Sequence, residues 1–124
     1  MLKPNLPSID DSENEYVPEG LPTVVDAHVH IFPDNIFSAI WSWFDENAWP
    51  IRYRYSSSKV LDYLLSCGVS HIIALQYAHK PGMSRMLNRY MVKKCRAFPD
   101  KVTGMAAIFP GEKDVEEILK EAFD

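Results

Sequence analysis

No block of basic residues occurs in this 124-residue sequence, glycine appears five times and cysteine twice, and no apolar run approaches the roughly 20 residues of a membrane-crossing helix. Each scarcity excludes something. Without clustered Lys and Arg, and with a formal net charge of −4, the chain offers no surface for a phosphate backbone, so neither nucleic acid nor a membrane is an expected partner. The N-terminus lacks the basic-then-apolar order of a signal peptide. Cys67 and Cys95 are distant, form no CxxC pair and read as reduced, half-buried thiols, with a disulfide left open as the other reading. A soluble cytoplasmic protein is expected. With 47% hydrophobic residues it has enough apolar material for the core of one small domain.

What is present falls into a clear order. Residues 1–22 carry four prolines among Asp10, Asp11, Glu13 and Glu15 and read as a mobile leader that buries too little to offset its ordering entropy. From 23 to 124 the pattern alternates between strand and helix. Strands are expected near 23–31, 70–77 and 102–109, the second being nearly continuous in apolar residues (Ile72-Ile73-Ala74-Leu75), as in parallel strands covered on both faces. Helices are expected at about 35–47, capped by the Pro33-Asp34-Asn35 turn; from Ser57 or Ser58 to a stop at Gly68; from a Ser84 cap to Pro99; and from Asp114, which with Glu117 forms a capping box. Gly104, inside the third strand, marks a close approach of backbone. Repeated βα alternation means a parallel sheet with right-handed crossovers, helices on one side and ligands at the carboxyl ends of the strands.

At that end of the first strand stand His28 and His30, in the run Val24-Val25-Asp26-Ala27-His28-Val29-His30-Ile31-Phe32-Pro33. Strict alternation puts Asp26, His28 and His30 on one face and Val25, Ala27, Val29 and Ile31 on the other. A lone histidine on an apolar strand is more often a core residue than a ligand. Two at period two, beside an acid and ahead of a strand-ending proline, aim two imidazoles at one point and suggest a divalent metal.

The stretch Asp26 to Pro33 resembles the first-strand metal motif of the amidohydrolase superfamily, particularly its amidohydrolase-related branch, which includes the aminocarboxymuconate-semialdehyde decarboxylase type. Asn88, then Phe98-Pro99-Asp100-Lys101-Val102-Thr103-Gly104 and Ala106-Ala107-Ile108-Phe109-Pro110, is similar to that branch's passage from second helix to third strand. The resemblance spans roughly residues 22–124 and implies the N-terminal part, about three βα units, of a TIM (β/α)8 barrel, a fold that typically takes about 250 residues. It implies a divalent metal, zinc above others, with His28 and His30 as two of its ligands, and hydrolase or decarboxylase (lyase) chemistry on a small-molecule substrate. The family's further histidine and catalytic aspartate belong to later strands and have no counterpart here. The catalytic residue is therefore unknown. A homo-oligomer or the remaining C-terminal part of the barrel would complete the structure.

Substrates in that branch are often carboxylates. Arg52 and Arg54, on the connection after the first helix, are placed for bidentate carboxylate recognition or are two solvated loop arginines. His79, past the second strand, approaches the metal or substrate or is an ordinary loop residue. His71, at the start of its strand, lies roughly 20 Å from the strand's far end at about 3.3 Å per residue and is expected to be structural. Two other functions compete: an inactive pseudoenzyme or interaction fragment whose sheet edges are paired by a partner, and a metal-dependent nuclease or phosphoesterase, which the acidic balance and the Phe98 to Pro110 match disfavour.

Overall fold

The computed structural model describes residue 12 and residues 15–124; what is expected of 1–11, 13 and 14 lies outside the described residues. Seven elements follow one another: β1 (Val25–His30), α1 (Asp34–Asn47), α2 (Ser57–Ser66), β2 (His71–Leu75), α3 (Ser84–Ala97), β3 (Val102–Gly104) and α4 (Val115–Phe123). The strands pair in the order β1-β2-β3, both pairings parallel, so the chain is an α/β fold with an open three-stranded parallel sheet. In the part of the expected leader that is described, Val17 is tied down, its amide donating to the Cys67 carbonyl at 2.7 Å.

The sheet has one covered face. Val29, Ile31, Ile72, Ala74 and Val102 meet Leu61 of α2 and Met91 of α3 there, with Ile31, Leu61, Ile72 and Ala74 wholly shielded from solvent. Burying each such branched side chain is worth about 1.5–3 kcal/mol. A second cluster, Phe32, Ile36, Phe37 and Leu87, seats α1 beside the carboxyl ends of the strands. Among the described residues the opposite face of the sheet is bare. Val25 and Met105 remain about half exposed on it, and His28 and His30 are accessible as well.

β1 departs from strict alternation. Val25 pairs with His71 and Asp26 with Ile72, yet Val29 pairs with Ala74 and His30 with Leu75, so three steps on β1 match two on β2. That is a bulge, an extra residue that resets which face follows. Asp26 therefore shares the covered face with Ile72 and Val29, while His28 and His30 share the bare one. The expectation that Asp26 stands with the histidines is corrected. Its carboxylate instead accepts the amide of His28 at 3.1 Å, a short-range bond that suits the bulged backbone.

Strand and helix ends differ from expectation for local reasons. The third strand is three residues long, not eight: the Met105 amide still donates to the Ala74 carbonyl at 2.9 Å, but at Ala107 a side chain takes over, Asn88 of α3 donating to its carbonyl at 3.0 Å and accepting its amide at 2.7 Å. Three expected caps do not form. Neither Pro33-Asp34-Asn35 nor the Asp114–Glu117 pair gives a side-chain cap, and Ser84 is the first residue of α3, its hydroxyl donating to Glu112 instead of capping. The second helix is capped one residue earlier than expected, Ser56 Oγ accepting from the Lys59 amide. Its stop is as expected: Gly68, at φ +98°, donates to Leu65 while Val69 donates to Leu64, the paired bonds of a Schellman turn.

Gly104 bears out the close approach expected of it. A β-carbon there would sit 2.3 Å from Met91 Cγ and 2.8 Å from Cys95 Sγ. Overpacking of this kind costs about 1–3 kcal/mol, so Gly104→Ala is expected to lower the urea midpoint accordingly, and adding Met91→Ala should recover part of the loss relative to Met91→Ala alone. Additive losses would show that the crowding is not the cause.

Candidate functional site

His28 and His30 converge at the carboxyl end of β1. Their Nε2 atoms are 3.1 Å apart and their rings meet edge to face at 66°, with centroids 5.0 Å apart. Two bare lone pairs would repel at that distance, so in the absence of a cation one ring carries its proton on Nε2 and the other accepts it. Two nitrogens bound at about 2.0–2.1 Å to a tetrahedral zinc stand about 3.3 Å apart. The separation of the pair is thus within a few tenths of an ångström of that between two corners of such a site. Withdrawal from water, and secondarily the neighbouring His28, push the His30 pKa below its ordinary value of 6.5 and favour the neutral imidazole that a metal requires.

The rest of a metal site is not gathered around them. Among the described residues no group of three or more His, Cys, Asp or Glu side chains is positioned to hold a metal ion. His79 lies in an aromatic group, its ring 4.8 Å from Tyr77 and 6.0 Å from Phe32, and not in a third ligand position. His71 sits at the other end of β2, as its position in the strand requires, with Nε2 2.8 Å from Thr103 Oγ1 and Nδ1 3.3 Å from the Asp100 carbonyl. It staples β2 to β3.

Beside the histidines opens a cleft of ≈ 290 Å³ lined by His30, Phe32, Phe37, Trp41, Phe44 and Tyr77, among others. Phe32 lies parallel to His30 at 9° and 6.2 Å, and Tyr77 approaches His30 edge-on at 5.4 Å. The aromatic side of α1 is therefore both core and cleft wall: Ile36 and Phe37 are buried, while Trp41 and Phe44 border the opening. The loop after α1 contributes Ile51, Tyr53 and Tyr55 to the same lining. Arg54 on that loop is engaged, paired with Asp45 of α1 and donating through Nε to the Ile51 carbonyl at 3.2 Å. The Arg52 guanidinium lies over the Tyr53 ring at 5.2 Å. Two other clefts, of ≈ 340 and ≈ 430 Å³, run along α3 beside α4 and the free edge of β3, away from the histidines.

Three residues build this region in roles that sequence patterns did not mark, Ser57 having been expected only as a helix cap. Buried Ser57 donates to the Phe32 carbonyl at 2.8 Å and accepts the Phe32 amide at 3.0 Å, fixing the turn that follows the histidines. No local signal announces a contact 25 residues away. Tyr77 was legible in principle, since it continues the alternation of Ile73 and Leu75 to the bare face. Glu112, after β3, clamps the loop before α3: it accepts the Gly82 amide at 2.6 Å, the Ser84 hydroxyl and the Phe109 amide at 3.3 Å.

Those bonds, the Ser84 hydroxyl first, hold the Glu112 carboxyl below its ordinary pKa of 4.5. A group with a depressed folded pKa stabilises above its unfolded value and loses that contribution as pH falls through the folded one. The clamp is expected to be intact at neutral pH and to release below about pH 4.5, with Glu112→Gln flattening that acid limb in a urea-midpoint series from pH 7 to pH 3. An unchanged limb in the variant would remove Glu112 from the account.

No helix among the described residues is long and apolar enough to cross a membrane. Comparison with protein-family models, with curated proteins and with solved structures gives no match to this chain.

Proposed function

We propose that this chain carries the first-strand metal-binding half of a metal-dependent hydrolase or decarboxylase of the amidohydrolase type, its three parallel strands forming an arc of a (β/α)8 barrel. The observation that carries the reading is the 3.1 Å convergence of the His28 and His30 Nε2 atoms at the carboxyl end of a parallel strand, where enzymes built on such sheets keep their chemistry. The parallel order β1-β2-β3 and the placement of the cleft at the same end support it.

His28 and His30 would hold the cation, and the aromatic wall beside His30 would receive the apolar part of a small substrate while excluding water. A divalent cation bound there supplies an acidified water and a polarised carbonyl. Arg52 and Arg54, on the loop lining the cleft, are the candidates for a substrate carboxylate, Arg54 being held by Asp45 of α1. Catalytic zinc takes three protein ligands and an open position; the third is to come from outside the described residues. A second reading, an interaction module without chemistry of its own, is favoured by the two edge strands, β1 and β3, each unpaired along one side among the described residues.

Half of a four-ligand zinc set is worth about half of the roughly 10–16 kcal/mol of a complete one, which corresponds to a dissociation constant between about 1 µM and about 0.2 mM. Dilute purified chain is expected to bind zinc in that range, to lose the binding in His28→Ala, and to turn over no ester, amide or carboxylate substrate. Nanomolar affinity indifferent to His28→Ala, or hydrolysis by a monodisperse monomer, would overturn the assignment.

A further inference from the structure

The histidine pair supplies two donors where a closed zinc site takes four, and among the described residues no helix covers the sheet face it stands on. We propose that two copies of this chain join bare face to bare face, with His28 and His30 of both copies holding one zinc ion in a four-imidazole centre. The inference rests on the reading of His28 and His30 as ligands and goes beyond it in naming what completes the set.

Symmetry supplies the count. In a two-fold interface whatever one copy contributes its partner repeats, so two convergent nitrogens become four, arranged as the two pairs that a tetrahedron comprises. The 3.1 Å spacing within one pair already suits that geometry. The spacing between copies fits as well. Stacked sheets stand about 10 Å apart, which places a cation at the midplane about 5 Å from each backbone layer, within reach of an imidazole plus one metal–nitrogen bond of about 2 Å.

The composition of the face fits a second copy of itself. Register and alternation put Val25, His71, Ile73, Leu75, Tyr77, Lys101, Thr103 and Met105 there with the two histidines. Lys101, just before β3, is the one charged side chain among them and stands at the end of the sheet away from the histidines, so no like charges meet beside the cation, a juxtaposition that elsewhere costs several kcal/mol. Val25 at 47% exposure, Tyr77 at 42% and Met105 at 52% leave apolar surface partly open to solvent in the single chain. A zinc ion with four protein donors has no open position for water, so the centre would join the copies without performing hydrolysis.

The test is the mass of the full chain, by light scattering after size exclusion and by native mass spectrometry, with zinc chloride and then with a chelator. Expected is twice 14.2 kDa at one zinc per two chains, return to monomer on chelation, and an apparent zinc affinity that rises with chain concentration. His28→Ala and His30→Ala should stay monomeric with unchanged circular dichroism. Val25→Asp, which keeps both histidines but buries a carboxylate from each copy in the apposed faces, should stay monomeric and bind zinc only weakly. Cobalt(II) in place of zinc should give the intense visible absorption of a four-coordinate ion. One zinc per chain at unchanged mass would overturn the pairing and leave the ligand reading standing. A dimer indifferent to chelator and to Val25→Asp would overturn the metal-centred interface, and zinc binding that ignores His28 would overturn both.

Discussion

The pairing of β1 with β2 is the constraint on which the rest depends. Its register is fixed at two levels: Val29 and Ile31 must enter the core formed with Ile72, Ala74 and Leu61, and a bulge takes up one residue between Asp26 and Val29. The bulge is the reason that an acid, two histidines and two core aliphatics coexist on six or seven consecutive positions. It sends the carboxylate of Asp26 to the covered side, where it accepts its own chain's His28 amide, and leaves the two imidazoles alone on the other. Without the extra residue the same sequence would place a carboxylate on the imidazole side, a different electrostatic environment for any bound cation.

The carboxyl end of the sheet is then tied from several directions. Ser57 brings the start of α2 onto Phe32, Glu112 brings the segment after β3 onto the loop before α3, and Asn88 ties α3 to Ala107. These are polar bonds between elements far apart in sequence, and two of them, at Ser57 and Asn88, are buried. Leaving a buried partner unsatisfied costs about 1–3 kcal/mol. The amino-terminal end depends on a different arrangement, the Schellman turn at Gly68 and the His71 staple to β3. The end that carries the histidines is held by side-chain bonds between distant elements, whereas the other combines a backbone turn with the His71 side chain.

That division explains what was legible in the sequence. The period of the strands, the apolar run of β2, the helical spacing after Pro33 and the glycine stop at position 68 are local, and each was visible. The convergence of His28 and His30 follows from period two alone. The bulge was not visible, because nothing in Asp26-Ala27-His28 distinguishes a regular strand from one with an added residue; only packing of Val29 against α2 and α3 decides it. The caps failed for a related reason. Ser84 and Asp114 have cap chemistry, but Ser84 has a better partner in Glu112, 28 residues away, and Asp114 adopts a left-handed backbone at φ 63° from which no side-chain cap forms. The expected extent of β3 went wrong because Asn88 takes over the backbone groups of Ala107 that a longer ladder would need.

The three tryptophans have a consequence for how the molecule reports on itself. Trp41, Trp43 and Trp49 all belong to α1 or the loop after it. Trp41 stacks on Phe37 at 11° in the cleft wall, whereas Trp43 and Trp49 are 56% and 67% exposed. Intrinsic fluorescence therefore watches one flank only: Trp41 senses occupancy or wetting of the cleft, and the other two contribute a solvent-quenched background. The α3–α4 flank, held by the Arg85 and Arg89 pairs to Glu121, is optically silent and can open without changing emission. Far-ultraviolet dichroism counts all four helices equally, so any disagreement between the two signals identifies which flank of the domain has yielded first.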